Sequence, residues 1–581
     1  MNRKLIAVLA AAMVMMTACD SSGHVDTEKS ENQGTNTMMG TITSANRSEE
    51  SKITDEMLNF DKKTDTTTSI DEGNEIIINL NDVKVGEDVV ITEGGSYILS
   101  GKMSNGQVRV EVDKSENVQL ILDDVEITNE KGAAIYIISA NKTIITALDG
   151  TENWISDGYG DVVGDIDMEN EVSNAAIYSK DDLIINGAGM LTVNATINNG
   201  INSRDDLTIS IAAMVIHAVD DAIVGRDSVM LKEVDMTINA GDDGIKSSRE
   251  EEEKGYIVIE SGRYNIQSQG KGMNAETSIV ILGGEITIDA VDDGIHSNGT
   301  IDIMGGNITI TTGDDGIHAD DMIIINGGDI KILDSYEGIE SAMIYIHGGN
   351  IDIVASDDGI NAAGAGGQGG FRRMPNMAVT DTDVQYKLVI TGGIIKVNAE
   401  GDGIDANGYI YMSGGEVYID GPTNNREAAI DYDISFEMSG GLLVGAGSSS
   451  MAQAPSTTST QASIAMTYSE IQSTGTEVVV LDEAGNNIIS YAPDKVFQSI
   501  VFSTPDMIKG EEYTVVTNGD ITVSFETADS VTWVNESGVT TGGGMGGPGG
   551  QRPEGMRNFS EDMKRPEGME MPAEGMRQPK E

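Results

Sequence analysis

A phrase of about 22 residues returns four times between Ile279 and Ala362, and it limits the possible folds more than any other feature of the chain. In each copy two apolar segments flank a double glycine, and an acidic turn follows them. The four turns read Asp292-Asp293-Gly294, Asp314-Asp315-Gly316, Tyr336-Glu337-Gly338 and Asp357-Asp358-Gly359. From glycine 294 to 316, 316 to 338 and 338 to 359 the steps are 22, 22 and 21 residues. A repeat of this length predicts a solenoid.

The apolar residues inside each repeat indicate which kind of solenoid to expect. In Ile279-Val280-Ile281 and Ile286-Thr287-Ile288 the isoleucines lie two residues apart, which is the spacing of a β-strand and not of a helix. Three short strands per repeat, separated by turns, describe one coil of a parallel β-helix. Leucine-rich repeats need a Leu-x-x-Leu-x-Leu pattern, which this chain lacks. The sequence therefore predicts an all-β fold, a parallel β-helix with about 22 residues per coil.

The composition is strongly acidic. Lys and Arg total 36 against 95 Asp and Glu, which gives a net charge of -59. Because like charges repel, this excess argues against nucleic acid or an anionic membrane surface as a direct partner. Cations are the expected counterparts, although a secreted protein can also carry acidic residues for solubility alone.

The first 19 residues have the pattern of a bacterial signal peptide. Arg3 and Lys4 precede an apolar run from residue 5 to 16, and Met16-Thr17-Ala18-Cys19 is similar to a lipobox. We therefore expect a lipoprotein acylated at Cys19 and held by this lipid in the cell envelope, outside the cytoplasm. The alternative is a cleaved signal peptide in which the cysteine is incidental. Because Cys19 is the only cysteine, the mature chain has no internal disulfide.

Composition divides the rest of the chain into five segments. Residues 20–72 are polar without apolar period and are expected to form a disordered tether. Residues 73–447 carry the β-helix, 448–463 a linker, and 464–537 a small C-terminal β unit that we expect to cap the open end of the solenoid. Residues 538–581 are rich in Gly, Pro and Met and are expected to be disordered.

Stacking of coils converts the acidic turns into vertical rows of carboxylates. Two carboxylates one coil apart, about 4.8 Å, repel by roughly 3.5 kcal/mol at an effective dielectric constant of about 20. A Ca²⁺ ion would remove this repulsion, since it prefers carboxylate and carbonyl oxygens. The alternative is turn chemistry alone, with Asp bonded to its own backbone and Gly at positive φ. The predicted calcium ligands are Asp220, Asp221, Asp242, Asp243, Asp292, Asp293, Asp314, Asp315, Asp357 and Asp358.

The residue after each repeat isoleucine is expected to point outward, which gives a second row. A long row of hydrogen-bonding side chains suits an extended, polyhydroxylated chain along the solenoid axis, although an ordinary solvated strand shows the same pattern. His296 and His318 have the spacing of a transition-metal pair, but stacked, solvent-facing histidines without cysteine more often bind no metal. The predicted ligand-binding residues are Asn202, Lys246, Asn274, His296, His318, Glu340 and Asn361, and Val224, Asp405 and Asp431 complete the row. Aromatic candidates are Tyr136, Tyr178, Tyr336, Tyr345, Tyr409 and Tyr411.

The repeat and the segment that follows it resemble a known family. The junction reads Ser449-Ser450-Met451-Ala452-Gln453-Ala454-Pro455-Ser456, and it continues with Gln461-Ala462-Ser463 and a Gly-Thr-x-Val strand at Gly475. In these features residues 75–535 resemble the bacterial calcium-binding β-helix proteins described as carbohydrate-binding domain-containing proteins. The resemblance implies a right-handed parallel β-helix similar to polysaccharide lyases, binding of plant cell-wall polysaccharide, and calcium as cofactor.

The sequence leaves three functions open. The favoured one is a monomeric surface lipoprotein that binds polysaccharide. The second is a calcium-dependent polysaccharide lyase of the pectate type, in which Lys246, or less suitably Lys271, removes a proton next to a uronate carboxylate. A lysine on an acidic face should hold its proton tightly, which weakens this alternative. The third is an adhesin or spacer without a glycan ligand.

Overall fold

The computed structural model describes residues 51, 54, 57–58, 75–157, 174–251, 253–364, 386–527 and 529–542. The predicted signal peptide with Cys19, most of the predicted tether and the predicted tail beyond residue 542 lie outside the described residues. Within the described ranges no helix has the length and apolar character to cross a membrane.

The described residues are almost entirely β-strand, with one 3₁₀-helix at Leu80–Asp82. They form a parallel β-solenoid of about 14 turns with about 23 residues per turn. The predicted all-β parallel β-helix is thus confirmed. The mean coil is slightly longer than the repeat because some coils carry excursions, such as the charged segment between Ser247 and Tyr256.

Each coil has three faces, which we name in chain order. Face A holds the strand that follows the acidic turn, face B the next strand, and face C the strand after the double glycine. Each face pairs in parallel with the same face of the neighbouring coil, as in Ile295↔Ile317 on face A and Ile281↔Ile303 on face B.

The strand bounds follow this division. Face A consists of Val89–Ile91, Val108–Glu111, Ile135–Ser139, Ala175–Ser179, Asn199–Ser203, Ile223–Gly225, Ile245–Ser247, Met273–Ala275, Ile295–Ser297, Ile360–Ala362 and Ile404–Ala406. Face B consists of Ile76–Asn79, Lys142–Ala147, Ser228–Leu231, Tyr256–Ile259, Ser278–Ile281, Thr300–Ile303 and Lys387–Ile390. Face C consists of Glu152–Asp157, Val234–Ala240, Gly262–Ser268, Glu285–Ala290, Asn307–Thr312, Asp329–Asp334, Asn350–Ala355 and Ile394–Ala399. Strands that continue from A to B are Ile317–Ile325 and Ile339–Ile346, and those from B to C are Gly95–Ser104, Asn117–Asn129, Asp182–Ala195, Asp206–Ala218, Tyr409–Asp420 and Ser435–Gly447.

Columns of stacked isoleucines fill the interior. On face B Ile281, Ile303, Ile325 and Ile346 follow one another in register, and all four are fully buried. Identical branched side chains stacked at the strand spacing pack without voids, and each contributes on the order of 1.5–3 kcal/mol through burial. The sequence repeat therefore places an isoleucine at the same packing position in each of these coils.

The double glycine turns the chain from face B to face C. Its second glycine has φ of +109° at Gly284, +103° at Gly306 and +102° at Gly328. Residues with a side chain rarely adopt this conformation, so glycine is required at this position in these three coils.

The C-terminal β unit continues from the last coil. Its strand Phe497–Ser503 pairs antiparallel with Ser435–Gly447 and covers part of the terminal edge of the solenoid. The predicted linker 448–463 also lies against the last coil, since Tyr432 Oη donates to the carbonyl of Ala454 at 2.9 Å. The strands of this unit are Ser463–Gln472, Val478–Asp482, Asn487–Tyr491, Phe497–Ser503, Glu512–Thr517, Ile521–Glu526, Val531–Asn535 and Gly538–Val539. These contacts fit the expected capping role, and the domain boundaries themselves stay predictions.

Two described residues of the predicted tether also contact the solenoid. Met57 is buried against the outer side of face B, in a cluster with Met230, Tyr256 and Val258, and Leu58 packs beside it. At this point the segment is part of the folded surface rather than a free tether.

Candidate site on the acidic face

The acidic turns and the beginning of face A form one surface, which we call the acidic face, with three rows of side chains. The outer row, the first acid of each turn, consists of Asp220, Asp242, Asp292, Asp314 and Asp357. The inner row, the second acid, consists of Asp221, Asp243, Asp293, Asp315, Glu337, Asp358 and Asp402. The third row runs in register through Asn202, Val224, Lys246, Asn274, His296, His318, Glu340, Asn361 and Asp405. Asp431 follows through the bridge between Ile404 and Ile430. The structure thus stacks the predicted ligand residues in one line.

The third row is less exposed than the sequence predicts. Glu340 is 3% and Asn361 6% exposed. Their side chains do not project freely into water: Asn361 Nδ2 donates to Glu337 Oε2 at 2.9 Å, and Asn274 Nδ2 donates to Asp243 Oδ2 at 2.8 Å. The third row therefore acts partly as a set of donors for the inner acids, which the period of the sequence could not reveal.

The inner acids connect successive coils through their side chains. Asp221 Oδ1 accepts the backbone N–H of Asp243 at 3.2 Å, and Asp293 Oδ1 accepts that of Asp315 at 3.2 Å. Asp315 Oδ1 in turn accepts the N–H of Glu337 at 3.2 Å. Because these bonds reach one coil ahead, the turn alternative, in which Asp bonds its own backbone, does not describe the inner row.

Gly294 in the acidic turn lies close to the next coil. Gly294 is not among the residues with positive φ. A Cβ at this position would lie 2.6 Å from the carbonyl oxygen of Gly316 and 2.5 Å from Cγ2 of Ile310 in the next coil. The turn alternative is therefore wrong about the glycine as well, since space rather than backbone conformation demands it.

Two lysines lie among the acids. Lys246 Nζ is 2.8 Å from Asp243 Oδ2 and 3.2 Å from Asp221 Oδ1. Lys271 Nζ contacts Asp293 and lies 3.3 Å from Asp292 Oδ1. Burial alone would lower the pKa of Lys246, but its hydrogen bond with Asp243 and the charge of Asp221 raise it above the usual value. At these coils the protein itself supplies part of the positive charge that was expected from calcium.

Two of the acid sets predicted to bind calcium do come together. Asp220, Asp221 and Asp242 each offer a ligand atom within 4.8 Å of the others, and Asp292, Asp293 and Asp314 do the same. Burial raises the pKa of Asp221 to about 6, although the Lys246 ammonium opposes the shift. The remaining predicted ligands, Asp243, Asp315, Asp357 and Asp358, lie outside these two clusters.

The two histidines lie between inner acids. His296 Nδ1 is 2.8 Å from Asp293 Oδ2, and His318 Nδ1 is 3.3 Å from Asp315 Oδ2. Burial favours the neutral form of Asp293, but His296 and the Lys271 ammonium outweigh it and lower its pKa to about 2. Burial raises the pKa of Glu340 to about 8, against the opposing charge of His318.

A third acidic cluster contains no base among the described residues near it. Asp402, Asp405 and Asp431 each offer a ligand atom within 4.8 Å of the others. Burial, reinforced by Asp358 and by the cluster itself, raises the pKa of Asp402 to about 8 and of Asp405 to about 7. The sequence analysis placed Asp405 and Asp431 in the ligand row and missed Asp402, although Asp402-Gly403-Ile404 repeats the acidic turn.

Exposed aromatic rings are few on this surface. Tyr336, in the position of an outer-row acid, is 45% exposed, and Tyr411 on face B is 37% exposed and stacks on Tyr409. Tyr178 and Tyr345 are buried. Only Tyr336 of the predicted aromatic candidates therefore offers an open ring beside the acidic turns in the described part of the chain.

The fold and its stacked acidic face define a repeat protein of the parallel β-helix class, and comparison with known proteins identifies the family. The sequence profile described as "Carbohydrate-binding domain-containing protein" matches residues 85–338 and 289–387, together just over half of the 581 residues. The chain belongs to this family.

Two relatives are similar over shorter ranges. A carbohydrate-binding domain-containing protein from Acetivibrio thermocellus is 43% identical over 133 residues, which are 23% of this chain and 46% of the relative, so the match spans less than half of that protein. A solved structure described as a polysaccharide lyase-like protein from C. thermocellum, a gadolinium derivative, is 32% identical. It covers 39% of this chain and 96% of its own, with a TM-score of 0.37.

Proposed function

We propose that this protein is a lipid-anchored surface protein that binds polysaccharide along its acidic face, and that calcium stabilises this face. The observation that carries the proposal is the continuous register from Asn202 to Asp405, in which every side chain except Val224 is polar, in a chain of the carbohydrate-binding domain-containing family. Such a row presents a polar side chain at nearly every coil, about 4.8 Å apart, and so suits a long polymer better than a small ligand.

The outer row is the part of this surface that a polymer can reach. Asp242 and Asp314 are exposed, and the ring of Tyr336 lies open in the same row. Exposed carboxylates accept hydrogen bonds from sugar hydroxyls, and they can hold an acidic polymer through bridging calcium ions. Neutral polymers would depend on direct hydrogen bonds and should respond less to a chelator.

The cluster of Asp402, Asp405 and Asp431 fits calcium best. Its donor set is entirely carboxylate, which suits a hard cation, and no lysine or arginine of the described residues offsets its charge. Beside it Gln453 is 8% exposed and contacts Asp431 through Nε2, while its buried Oε1 has no hydrogen-bond partner in the described part of the chain. A bound cation would be a favourable partner for Oε1 of Gln453, either in the present orientation of the side-chain amide or after the amide has flipped.

The clusters at Asp221 and Asp293 fit calcium less well. Lys246 and Lys271 already contact these carboxylates, so a second cation would have to displace an ammonium group or bind beside it. Calcium, which the sequence predicts at these two coils, would therefore bind them more weakly than the Asp402 cluster.

The lyase alternative finds little support in the position of Lys246. Its ammonium lies between two carboxylates and its pKa is raised, so the neutral base that proton abstraction needs is strongly disfavoured near neutral pH. We therefore propose binding without cleavage.

Affinity electrophoresis of the full chain through gels containing different cell-wall polysaccharides tests the binding proposal. We expect retardation by at least one gel-forming polysaccharide, weakened by a chelator if the polymer is a polyuronate, and no unsaturated, UV-absorbing product after long incubation. Migration unaffected by every polymer tested would favour the adhesin or spacer alternative. Calcium-dependent formation of unsaturated product, lost in Lys246→Ala, would establish the lyase instead.

The surface location rests on Cys19, which lies outside the described residues. Expression in a bacterial host with a labelled fatty acid should give a labelled, membrane-associated protein, and Cys19→Ser should release the chain without label. An unlabelled wild-type protein would contradict the lipid anchor.

A further inference from the structure

The histidine pair of the third row is arranged differently from the rest of the acidic face. The rings of His296 and His318 are 4.9 Å apart and nearly perpendicular. Asp293 Oδ2 lies 2.8 Å from His296 Nδ1 and 4.0 Å from His318 Nδ1, and His318 Nδ1 also lies 3.3 Å from Asp315 Oδ2. One atom from each of these three residues lies within 4.8 Å of the other two. Two imidazoles and a carboxylate converge on one point.

His296 is held by a hydrogen bond on its far nitrogen. Its Nε2 is 3.0 Å from Asn298 Oδ1, and Asn298 Nδ2 donates to Glu276 Oε2 at 3.0 Å. If Nε2 carries the proton and donates to Asn298, the lone pair of Nδ1 faces the convergence point. Histidines that bind metals usually have their other nitrogen fixed by such a bond.

His296 and Glu340 each have a buried polar atom here that lacks a hydrogen-bond partner among the described residues. His296 Nδ1 is buried and has no hydrogen-bond partner among the described residues, although Asp293 Oδ2 lies 2.8 Å away. Glu340 is 3% exposed, its Oε1 has no hydrogen-bond partner among the residues that the structure describes, and its Oε2 faces His318 Nε2 at 3.7 Å. A buried carboxylate oxygen without a partner costs stability unless a ligand satisfies it.

We propose that His296 Nδ1, His318 Nδ1 and Asp293 form a binding site for a divalent transition metal of the zinc type, with the buried carboxylate of Glu340 beside it. Nitrogen ligands with one carboxylate and a position open to water suit Zn²⁺ better than Ca²⁺, which takes oxygen ligands. On binding, the metal replaces the Lys271 ammonium on Asp293, and Lys271 moves to Asp292, which its Nζ already approaches to 3.3 Å.

The solvent-facing histidines expected from the sequence would not form such a site. The structure differs because the side chains of His296 and His318 are only 12% and 14% exposed and are bounded by Asp293, Asp315 and Glu340. The site also differs from the proposed calcium cluster at Asp402, which contains no nitrogen ligand. The calcium and zinc proposals therefore concern different residues, and an experiment can contradict one without contradicting the other.

Zinc binding to the full chain, purified without a histidine tag, tests the proposal by calorimetry in excess calcium. We expect about one zinc per chain that calcium does not displace. His296→Gln and His318→Gln should each weaken binding by roughly tenfold or more, because each removes a ligand. The matched control is His217→Gln, which changes an exposed histidine on the solenoid and should leave zinc binding unchanged.

X-ray absorption at the zinc edge of the wild-type protein provides a second test that needs no variant. It should show two imidazole ligands. Absence of zinc binding, wild-type affinity in both histidine variants, or a zinc spectrum without imidazole ligands would each overturn the proposal.

Discussion

Gly294 shows how strictly one residue of the turn is fixed by its neighbours. A Cβ there would lie 2.5 to 2.6 Å from atoms of the next coil, whereas a Cβ at Gly283 meets nothing closer than 3.4 Å. We expect Gly294→Ala to lower the stability by about 1–3 kcal/mol through overpacking, and Gly283→Ala to be nearly neutral. Denaturant titration of both variants measures the difference, and equal midpoints would contradict the close-approach explanation.

Ionisation of Glu337 makes the folding stability depend on pH, and its pKa determines the direction of this dependence. It is buried, and desolvation, reinforced by the charge of Glu340, raises its pKa to about 9, although Asn361 donates to it. Since the pKa is about 4.3 in the unfolded chain, the folded state holds a proton that the unfolded state has lost between these values. Its contribution to stability is therefore complete below about pH 4, declines as the pH rises and is gone above about pH 9.

The matching experiment compares wild type with Glu337→Gln in the presence of a chelator. The neutral amide cannot ionise, so the variant should lose less stability than wild type between pH 5 and pH 9.5, about the window set by the two pKa values. The change in melting temperature over this range is the readout. A loss as steep as in wild type would show that Glu337 is already ionised in the folded state.

At the residue scale the sequence predicted which side chains stack, but not what they bond. The repeat places Asp221 above Asp243 and His296 above His318, because register follows the period. It could not place Lys246 and Lys271 on these carboxylates, since a long flexible side chain can reach several acids and the sequence does not say which. Because Lys246 and Lys271 contact the predicted calcium ligands, the proposed calcium site is the cluster at Asp402 instead.

The strands of the solenoid depend on their stacked isoleucines. Ile310 on face C is fully buried, and a methyl group of its side chain approaches the backbone of Gly294. Ile310→Ala should lower the stability by about 2–5 kcal/mol through the cavity it leaves. Ile394, also on face C, is 40% exposed, so Ile394→Ala serves as a control and should change the stability by less than about 1 kcal/mol. Similar denaturation midpoints would contradict the packing described here.

At the scale of strands and turns the sequence predicted the structure well, because the repeat period and the glycines determine these elements. The alternation of Ile286-Thr287-Ile288 and the glycine pair at Gly284 identify strands and turn, because each rests on local geometry. The packing of Met57 on face B was missed, because an isolated apolar residue in a polar stretch carries no period.

The whole molecule carries a net charge of -59, and the proposed binding of calcium would offset part of it. A cation that binds only the folded state stabilises it by mass action, so a chelator should lower the melting temperature and calcium should restore it. Asp402→Asn with Asp431→Asn should remove most of this response. Asp292, Asp293, Asp314 and Asp315 changed to Asn together should reduce it less, because Lys271 already neutralises part of that cluster. The control is Asp289→Asn, which changes an exposed residue of face C. A melting temperature of the wild-type protein that the chelator does not change would contradict the calcium proposal.

Equilibrium binding of a retained polysaccharide to two charge-matched variants tests the central claim, that the acidic face is the binding surface. One variant combines Asp242→Asn and Asp314→Asn in the exposed outer row, and the other combines Asp289→Asn and Asp352→Asn on exposed positions of face C. Both remove two negative charges, so a general effect of charge acts on both alike. The account predicts weaker binding by roughly tenfold for the outer-row variant and unchanged binding for the face C variant. Equal affinities, or a loss confined to the face C variant, would contradict it.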